Sequence, residues 1–318
     1  MPLVNCDDYQ PSGLYKYGHF NTVMSHFRRS KAKVRFSRSR IFTPDDDFID
    51  IDSILNGSKI LVMLLHGLEG SSESSYIHTF SQMLSSSGLY DVRVMNYRGC
   101  SGTMNQQVGM YHSGATEDLD SVFSHYQNQY DEIYAIGFSL GGNLILKYLG
   151  EQRFASSQWI TKAVAISPPT HLESCSYKIM ERQNFVYQKR FLTSLKSKAL
   201  EKAKLYPEQL VSSTIKSIKK IYEFDDVITG PIHGFADARD YYSKSSSKQY
   251  LDQINKPTLI ITAVDDPFLS IEAIPYEEAK RNEMLFLAAS EYGGHVGFGG
   301  HKKEISWMLE KSIEFISA

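Results

Sequence analysis

Ser139 lies at the centre of the pentapeptide Gly137-Phe138-Ser139-Leu140-Gly141, which follows an apolar run and precedes a helical pattern. A serine at the apex of a sharp strand-to-helix turn needs small residues two positions before and after it, because the strained backbone leaves no room for side chains there. Such a turn lifts the hydroxyl clear of the sheet. The spacing therefore predicts a nucleophilic serine, and the alternative is an ordinary glycine-rich turn with a capping serine.

Serine is a poor nucleophile at neutral pH, so it needs a base within hydrogen-bonding distance and an acid that orients the base. When the nucleophile lies on such a turn, the partners follow in the chain order serine, acid, histidine, each in a loop after a strand. Asp266 follows the apolar run Thr258–Val264, and His295 follows Leu285–Ala288 in a glycine-rich loop. We therefore predict that Ser139, Asp266 and His295 form a catalytic triad.

Both partners have alternatives. Asp265 directly precedes Asp266, but the usual spacing of the acid after its strand favours Asp266 and leaves Asp265 to stabilise the loop. Of the ten histidines, His112 also follows a strand, and it either lines the site or has a purely structural part. His66 precedes a glycine-containing loop, where we expect it to support the backbone.

A tetrahedral intermediate needs two N–H donors directed at its oxyanion, each worth about 3 kcal/mol when removed. The first is predicted to be Leu140 N–H, directly after the nucleophile, and the second Leu68 N–H in the loop at residues 66–70. The sequence has no HExxH motif, no paired cysteines and no dinucleotide-binding fingerprint. We therefore expect neither a metal nor another cofactor.

The composition is typical of a soluble globular protein: 318 residues, 42% hydrophobic and 22% charged. A formal net charge of −2 gives no reason to expect nucleic-acid binding. Three widely spaced cysteines favour reduced thiols, and no apolar stretch is long enough to span a membrane. These features predict a cytoplasmic enzyme that acts on a small molecule. They leave open whether it makes peripheral contact with a membrane and what its oligomeric state is.

The arrangement of the elements predicts an α/β fold, with a mostly parallel central sheet flanked by helices, because strands and helices alternate regularly after Gly57. A basic stretch at 26–42 and an acidic one at 45–52 are predicted to pair as antiparallel strands, and a membrane or targeting arm is the alternative for the basic stretch. The last helix is expected from Lys302 to Ile316.

The alternation breaks between the strand ending at Ile166 and the one starting at Thr258. We predict a core at residues 1–170 and 235–318, with a helical cap at 171–234 inserted over the catalytic edge of the sheet. The basic character of the cap suits either a solvated helix face or an anionic substrate or membrane surface. An acyl pocket is expected to be lined by four apolar residues of the cap: Phe185, Val186, Phe191 and Leu192.

Six motifs together resemble the YheT-like branch of the α/β-hydrolase superfamily: HGLEG (66–70), NYRGCSG (96–102), YHSGATED (111–118), GFSLGGN (137–143), AVDDPF (263–268) and GGHVGF (293–298). The segment GHFNTV (18–23) is similar to the N-terminal segment of that branch. The branch itself is related to medium-chain fatty-acid ester synthases/esterases and to phospholipid-acting hydrolases. The resemblance implies Ser139 as nucleophile, Asp266 as acid and His295 as base, with esterase or acyltransferase chemistry on short- to medium-chain acyl esters.

The expected function is therefore a lipase-like serine esterase that cleaves carboxylic esters of short- to medium-chain acyl groups through an acyl-enzyme. The same triad would serve an acyltransferase (ester synthase) or a thioesterase, which differ only in the acceptor or leaving group admitted to the pocket. A non-catalytic binding module that kept the fold is the remaining alternative.

Overall fold

The computed structural model of the chain describes residues 3–28, 34–301 and 306–318. Part of the basic stretch at 26–42 and the expected start of the last helix at Lys302 therefore lie outside the described residues. Within them, one eight-stranded sheet forms the centre of the molecule.

The strands are arranged in the order β1-β2-β4-β3-β5-β6-β7-β8. The strands from β3 to β8 are parallel to one another, whereas β2 is antiparallel to both β1 and β4. The predicted α/β class with a mostly parallel sheet is thus confirmed. The strands are β1 (Ser37–Phe42), β2 (Phe48–Ile54), β3 (Ile60–Leu65), β4 (Asp91–Asn96), β5 (Glu132–Phe138), β6 (Ile160–Ile166), β7 (Thr258–Ala263) and β8 (Leu285–Ser290).

The antiparallel pair at the sheet edge confirms the predicted pairing of the basic and acidic segments. Arg38 lies opposite Asp52 and Arg40 opposite Asp50, and each guanidinium donates two hydrogen bonds of 2.7–2.9 Å to its carboxylate. Cross-strand pairs of opposite charge stabilise a particular register of the two strands.

Twelve α-helices are present in the part of the chain that the structure describes. They are α1 (Gly18–Arg28), α2 (Ser75–Ser86), α3 (Thr116–Tyr126), α4 (Leu140–Glu151), α5 (Leu172–Ile179), α6 (Phe185–Leu205), α7 (Ser212–Ser217), α8 (Ile221–Phe224), α9 (Gly230–Ile232), α10 (Ala238–Ser245), α11 (Tyr276–Arg281) and α12 (Trp307–Ser317). A π-helical turn, Asp225–Thr229, joins α8 to α9. Among the described helices, none combines the length and apolar character needed to cross a membrane.

The two faces of the sheet are covered by different helices. Leu61, Met63 and Leu65 of β3 share an apolar cluster with residues of α3 and α4, whereas Val62 and Leu64 share another with residues of α2 and α12. Alternate residues of a strand point to opposite faces, so a strand buried on both faces is apolar throughout. This is why β3 reads as an uninterrupted hydrophobic run.

The helices α5 to α10 all lie between β6 and β7 in the chain. Leu192, Leu195 and Ala199 of α6 are buried together with Ile215 of α7 and Phe224 of α8. Most residues of this hydrophobic cluster belong to the insertion, and Met110 of the core joins them. The carboxyl ends of β5, β7 and β8, which precede Ser139, Asp266 and His295, meet at one edge of the sheet.

Candidate active site

Ser139 lies in the turn between β5 and α4, with backbone angles of φ +53° and ψ −117°. A Cβ on Gly137 would lie 2.4 Å from the carbonyl oxygen of Gly141, and a Cβ on Gly141 would lie 2.6 Å from that of Leu65. Such contacts with backbone atoms exclude any side chain at either position. The strand, turn and helix predicted around the serine are therefore present, and glycine is required on both sides of it.

His295 lies between Ser139 and Asp266. Its Nε2 is 2.9 Å from Ser139 Oγ, and its Nδ1 is 2.8 Å from Asp266 Oδ2. Because an ionised carboxylate only accepts hydrogen bonds, Nδ1–H is assigned as the donor to Asp266, which leaves Nε2 to accept from the Ser139 hydroxyl. The side chains of His295 and Asp266 are 10% and 0% exposed. The arrangement can therefore take a proton from the serine and hold the resulting imidazolium beside a buried carboxylate.

The two adjacent aspartates have different partners. Asp266 Oδ1 accepts the backbone N–H groups of Phe268 at 2.8 Å and Leu269 at 3.3 Å, which orients the carboxylate towards His295. Asp265 Oδ1 accepts Gly294 N–H at 2.8 Å and so braces the histidine loop. Burial raises the pKa of Asp265 to about 6; the Gly294 hydrogen bond opposes this shift and the nearby Asp266 charge adds to it.

The histidine loop is also held by α1, a contact that the sequence analysis missed. Thr22 Oγ1 accepts His295 N–H at 2.8 Å. A Cβ on Gly294 would lie 2.5 Å from Gly18 O, and one on Gly18 would lie 1.9 Å from Asp265 O. The helix therefore packs directly against both the acid loop and the histidine loop. The available signal is the segment at 18–23, whose likeness to the family does not by itself indicate a role.

The loop after β3 has three successive backbone N–H groups, and two of them are bound by tyrosine hydroxyls. Gly67 N–H donates to Tyr76 Oη, and Glu69 N–H donates to Tyr111 Oη, both at 2.8 Å. Leu68 N–H, between them, donates to no atom of the described residues. The loop is thus anchored on both sides of one unused donor.

Leu140 N–H, in the first turn of α4, likewise donates to no atom of the described residues. A Cβ on Gly67 would lie only 3.2 Å from Ser139 Cβ, so the loop containing Leu68 lies directly against the serine. The structure therefore brings two unused backbone donors to the region of the Ser139 hydroxyl, at the positions predicted for an oxyanion hole.

His66 supports the same loop. Its Nδ1–H donates to Gly67 O at 2.8 Å, and its Nε2 accepts Tyr97 N–H at 3.3 Å. Burial lowers the pKa of His66 to about 3, so the ring stays neutral and keeps both hydrogen bonds.

Glu69 connects the loop to α6, and the sequence analysis gave this side chain no role. Tyr111 Oη donates to Glu69 Oε1 at 2.7 Å, and Lys198 Nζ donates to the same oxygen at 3.0 Å. Ser194 Oγ donates to Glu69 Oε2. The Glu69 side chain is only 5% exposed, and its backbone φ is +55°. A strained backbone next to Leu68 is thus held by contacts with the inserted helices.

Two voids meet at Ser139. The first, which we call the inner cavity, lies between the sheet edge and the inserted helices. Its walls are mostly apolar and include Leu172, Ile179, Phe191, Leu195, Phe224 and Leu269. The second, the outer cleft, runs between α1, α2 and the start of α6, where Tyr76, Val186 and Arg190 line it.

Of the four residues expected in an acyl pocket, only Phe191 lines the inner cavity. Val186 borders the outer cleft and is 73% exposed, and Phe185 is 59% exposed. Leu192 is buried against the other inserted helices. Because residues three and four apart share a face of a helix, it is Leu195 and Lys198, not Leu192, that line the cavity beside Phe191.

Two further polar groups lie on the cavity wall. His112 is one, and its ring centroid is 4.4 Å from that of His233. Asp225 is the other: its carboxylate accepts hydrogen bonds of 2.7 Å from Thr229 and Tyr242, and burial raises its pKa to about 6. The described residues contain no group of three or more histidine, cysteine and acidic side chains that could hold a metal ion.

Comparisons with known proteins show the family and the fold of this chain. A family model described as the alpha/beta hydrolase fold matches residues 60–301. The chain is 38% identical to YheT of Escherichia coli strain K12, whose name assigns it provisionally as an esterase, over 93% of this chain and 88% of that protein. It is 30% identical to the human phospholipase ABHD3, over 100% of this chain and 80% of that protein. Among solved structures, the esterase Pf2001 of Pyrococcus furiosus superposes with a TM-score of 0.60 at 22% identity, over 89% of this chain and 92% of that one.

Proposed function

The chain belongs to the α/β-hydrolase superfamily, in its YheT-like branch, and on that basis we propose that it is a serine hydrolase that cleaves carboxylic esters through an acyl-enzyme. The observation that carries the proposal is the continuous set of hydrogen bonds from Ser139 Oγ through His295 to Asp266, beside two unused backbone donors. Its relatives named as an esterase and a phospholipase support ester bonds as the target.

In the proposed reaction, Ser139 Oγ attacks the acyl carbonyl while His295 Nε2 takes the hydroxyl proton. The Asp266 carboxylate, which accepts Nδ1–H, stabilises the imidazolium. The oxyanion of the tetrahedral intermediate accepts hydrogen bonds from Leu68 N–H and Leu140 N–H, each of which contributes about 3 kcal/mol. The intermediate then expels the alcohol, which receives its proton from His295. A water molecule, activated by the same ring, hydrolyses the acyl-enzyme.

We place the acyl group in the inner cavity and the alcohol in the outer cleft. The cavity walls are mostly apolar, which favours a hydrocarbon chain, and burial of each methylene contributes about 0.8 kcal/mol. The outer cleft is open to solvent and lined by serine hydroxyls and Arg190 as well as apolar groups, so an alcohol can leave there and water can enter. Short- to medium-chain acyl esters are therefore the proposed substrates.

The inner cavity also supports the proposed division into a core (1–170 and 235–318) and a helical cap (171–234). Residues of α5, α6 and α8 form much of its wall opposite the sheet edge. We propose a reducing, cytoplasmic location as well. The support for it is that Cys6, Cys100 and Cys175 are all free thiols.

The proposal is tested by hydrolysis of p-nitrophenyl butyrate. We expect the Ser139→Ala protein to lose all measurable turnover and to lose labelling by a fluorophosphonate, because both need the hydroxyl. Ser243→Ala, which changes an exposed serine of α10, serves as the matched control and should keep both. Turnover by folded Ser139→Ala at the wild-type rate would refute the proposal.

Acyl transfer is a second reaction that the same site would allow. The outer cleft reaches Ser139, so an alcohol could enter it in place of water and accept the acyl group. Product analysis with added ethanol separates the two activities. Free acid as the main product identifies a hydrolase, whereas ethyl ester formed in excess of acid identifies a transferase.

A further inference from the structure

The inner cavity has two ends. At one end it shares Leu68, Ser139, Phe191, Phe268 and His295 with the outer cleft, so this end is the candidate catalytic centre. At the other end it meets a third void, the polar pocket. The lining of this pocket includes neither Ser139 nor His295.

Four residues separate the inner cavity from the polar pocket and line both: Met110, His112, Ile232 and His233. We call them the partition. Beyond it, the polar pocket is lined by Asp45, Arg98 and Asp118, with Arg98 bonded to both acids at 2.6 Å. A hydrocarbon chain that crossed the partition would therefore leave an apolar wall and meet an ion-pair network.

The two imidazoles of the partition are held in different ways. His112 Nδ1 accepts Gly114 N–H at 3.2 Å, and its ring packs edge-on against Phe235 and Tyr241. His233 Nε2 is buried without a hydrogen-bond partner among the described residues, and the ring is held by packing against His112. Because of this, removal of the His233 ring opens the partition without breaking a hydrogen bond at that nitrogen.

Resting on the proposed function, we propose that the acyl chain of the substrate extends from Ser139 through the inner cavity to the partition. The imidazoles of His112 and His233 stop the chain there, and their position sets the longest acyl group that the enzyme accepts. In this arrangement, the outer cleft stays free for the departing alcohol and the attacking water.

The test compares kcat/KM for p-nitrophenyl esters from butyrate to palmitate. For the wild type, we expect kcat/KM to rise about fourfold per methylene while the chain still fits, and then to fall at a defined length. His233→Ala should move this break to longer chains, so that the first ester rejected by the wild type gains about fourfold for each methylene newly buried. His233→Phe, which keeps an aromatic ring there, should leave the break near its wild-type length.

The control is His125→Ala, which changes an exposed histidine of α3 that lines neither the inner cavity nor the polar pocket and should leave the profile unchanged. Ile232→Ala opens the same partition and replaces His233→Ala if that protein does not fold.

The possible failures are distinguishable. If the wild type hydrolyses none of the esters, the proposed function fails. If the wild type hydrolyses butyrate but folded His233→Ala and Ile232→Ala both keep the wild-type break, the proposed function stands and the partition does not limit chain length. A break that moves in His125→Ala as well would also overturn the inference.

Discussion

Replacement of Glu69 by glutamine tests whether the inserted helices hold the oxyanion loop in place. The Glu69 carboxylate accepts hydrogen bonds from Tyr111, Ser194 and Lys198, so all three of its neighbours are donors. Glutamine has almost the same shape, but its NH₂ group replaces one of the two acceptor oxygens. It also leaves the Lys198 ammonium without its counter-charge.

The expected loss of stability follows from the burial of the Glu69–Lys198 ion pair. Loss of one partner of a buried ion pair costs about 3 to 5 kcal/mol, and the Lys198 side chain is 20% exposed, so we expect about 3 kcal/mol of destabilisation. Removal of an oxyanion donor costs about 3 kcal/mol in the transition state. Since Glu69→Gln displaces Leu68 N–H without deleting it, we expect kcat to fall by about 10- to 100-fold.

Two measurements check this prediction: the free energy of unfolding from a denaturant titration, and kcat for p-nitrophenyl butyrate at a temperature where the variant is fully folded. Glu208→Gln is the matched control, because that side chain is exposed and lines neither the inner cavity nor the outer cleft. Wild-type kcat in folded Glu69→Gln would refute the coupling between this network and the oxyanion loop, even if the protein were less stable.

Two further predictions concern the adjacent aspartates. Asp266→Asn should lower kcat by roughly 10⁴-fold, because the amide no longer holds Nδ1–H of His295 as the donor. Steady-state hydrolysis of p-nitrophenyl butyrate measures this loss. A loss of less than tenfold would contradict the role of Asp266. Asp265 has a folded pKa of about 6, above its ordinary value of 3.8, so between these pH values the folded state holds a proton that the unfolded state has lost. Its contribution to stability is therefore complete at low pH and declines as pH rises towards 6. Asp265→Asn, which keeps an oxygen acceptor for Gly294 N–H, should flatten this decline in denaturant titrations at pH 4–7; an unchanged slope would refute it.

Most elements of the core could be predicted from the sequence because their signals are local. The apolar run of β3 and the glycines on both sides of Ser139 reflect burial and steric exclusion within a few residues. The pairing of Arg38 and Arg40 with the acidic strand was also predictable, since opposite charges at alternate positions indicate facing strands. The start of β1 at Ser37 was not predictable, because the length of an edge strand depends on how far it pairs with the neighbouring strand.

The residues around the site were harder to predict. The sequence does not distinguish the four apolar cap residues from one another, yet only Phe191 lines the inner cavity. The reason is that packing of α6 on α7 and α8 decides which face of the helix points to the cavity. Which aspartate reaches His295 was a choice between neighbours, and the hydrogen bonds of the two loops separate them.

By itself, the sequence determined the strand-turn-helix around Ser139 and the order in which an acid and a histidine follow later strands, because periodicity and short-range sterics act between near neighbours. Only the tertiary structure decided that Thr22 supports the loop of His295, 273 positions away, and that Lys198 reaches Glu69 across 129 positions. Contacts of this kind depend on how every intervening element packs. No local pattern of residues encodes them.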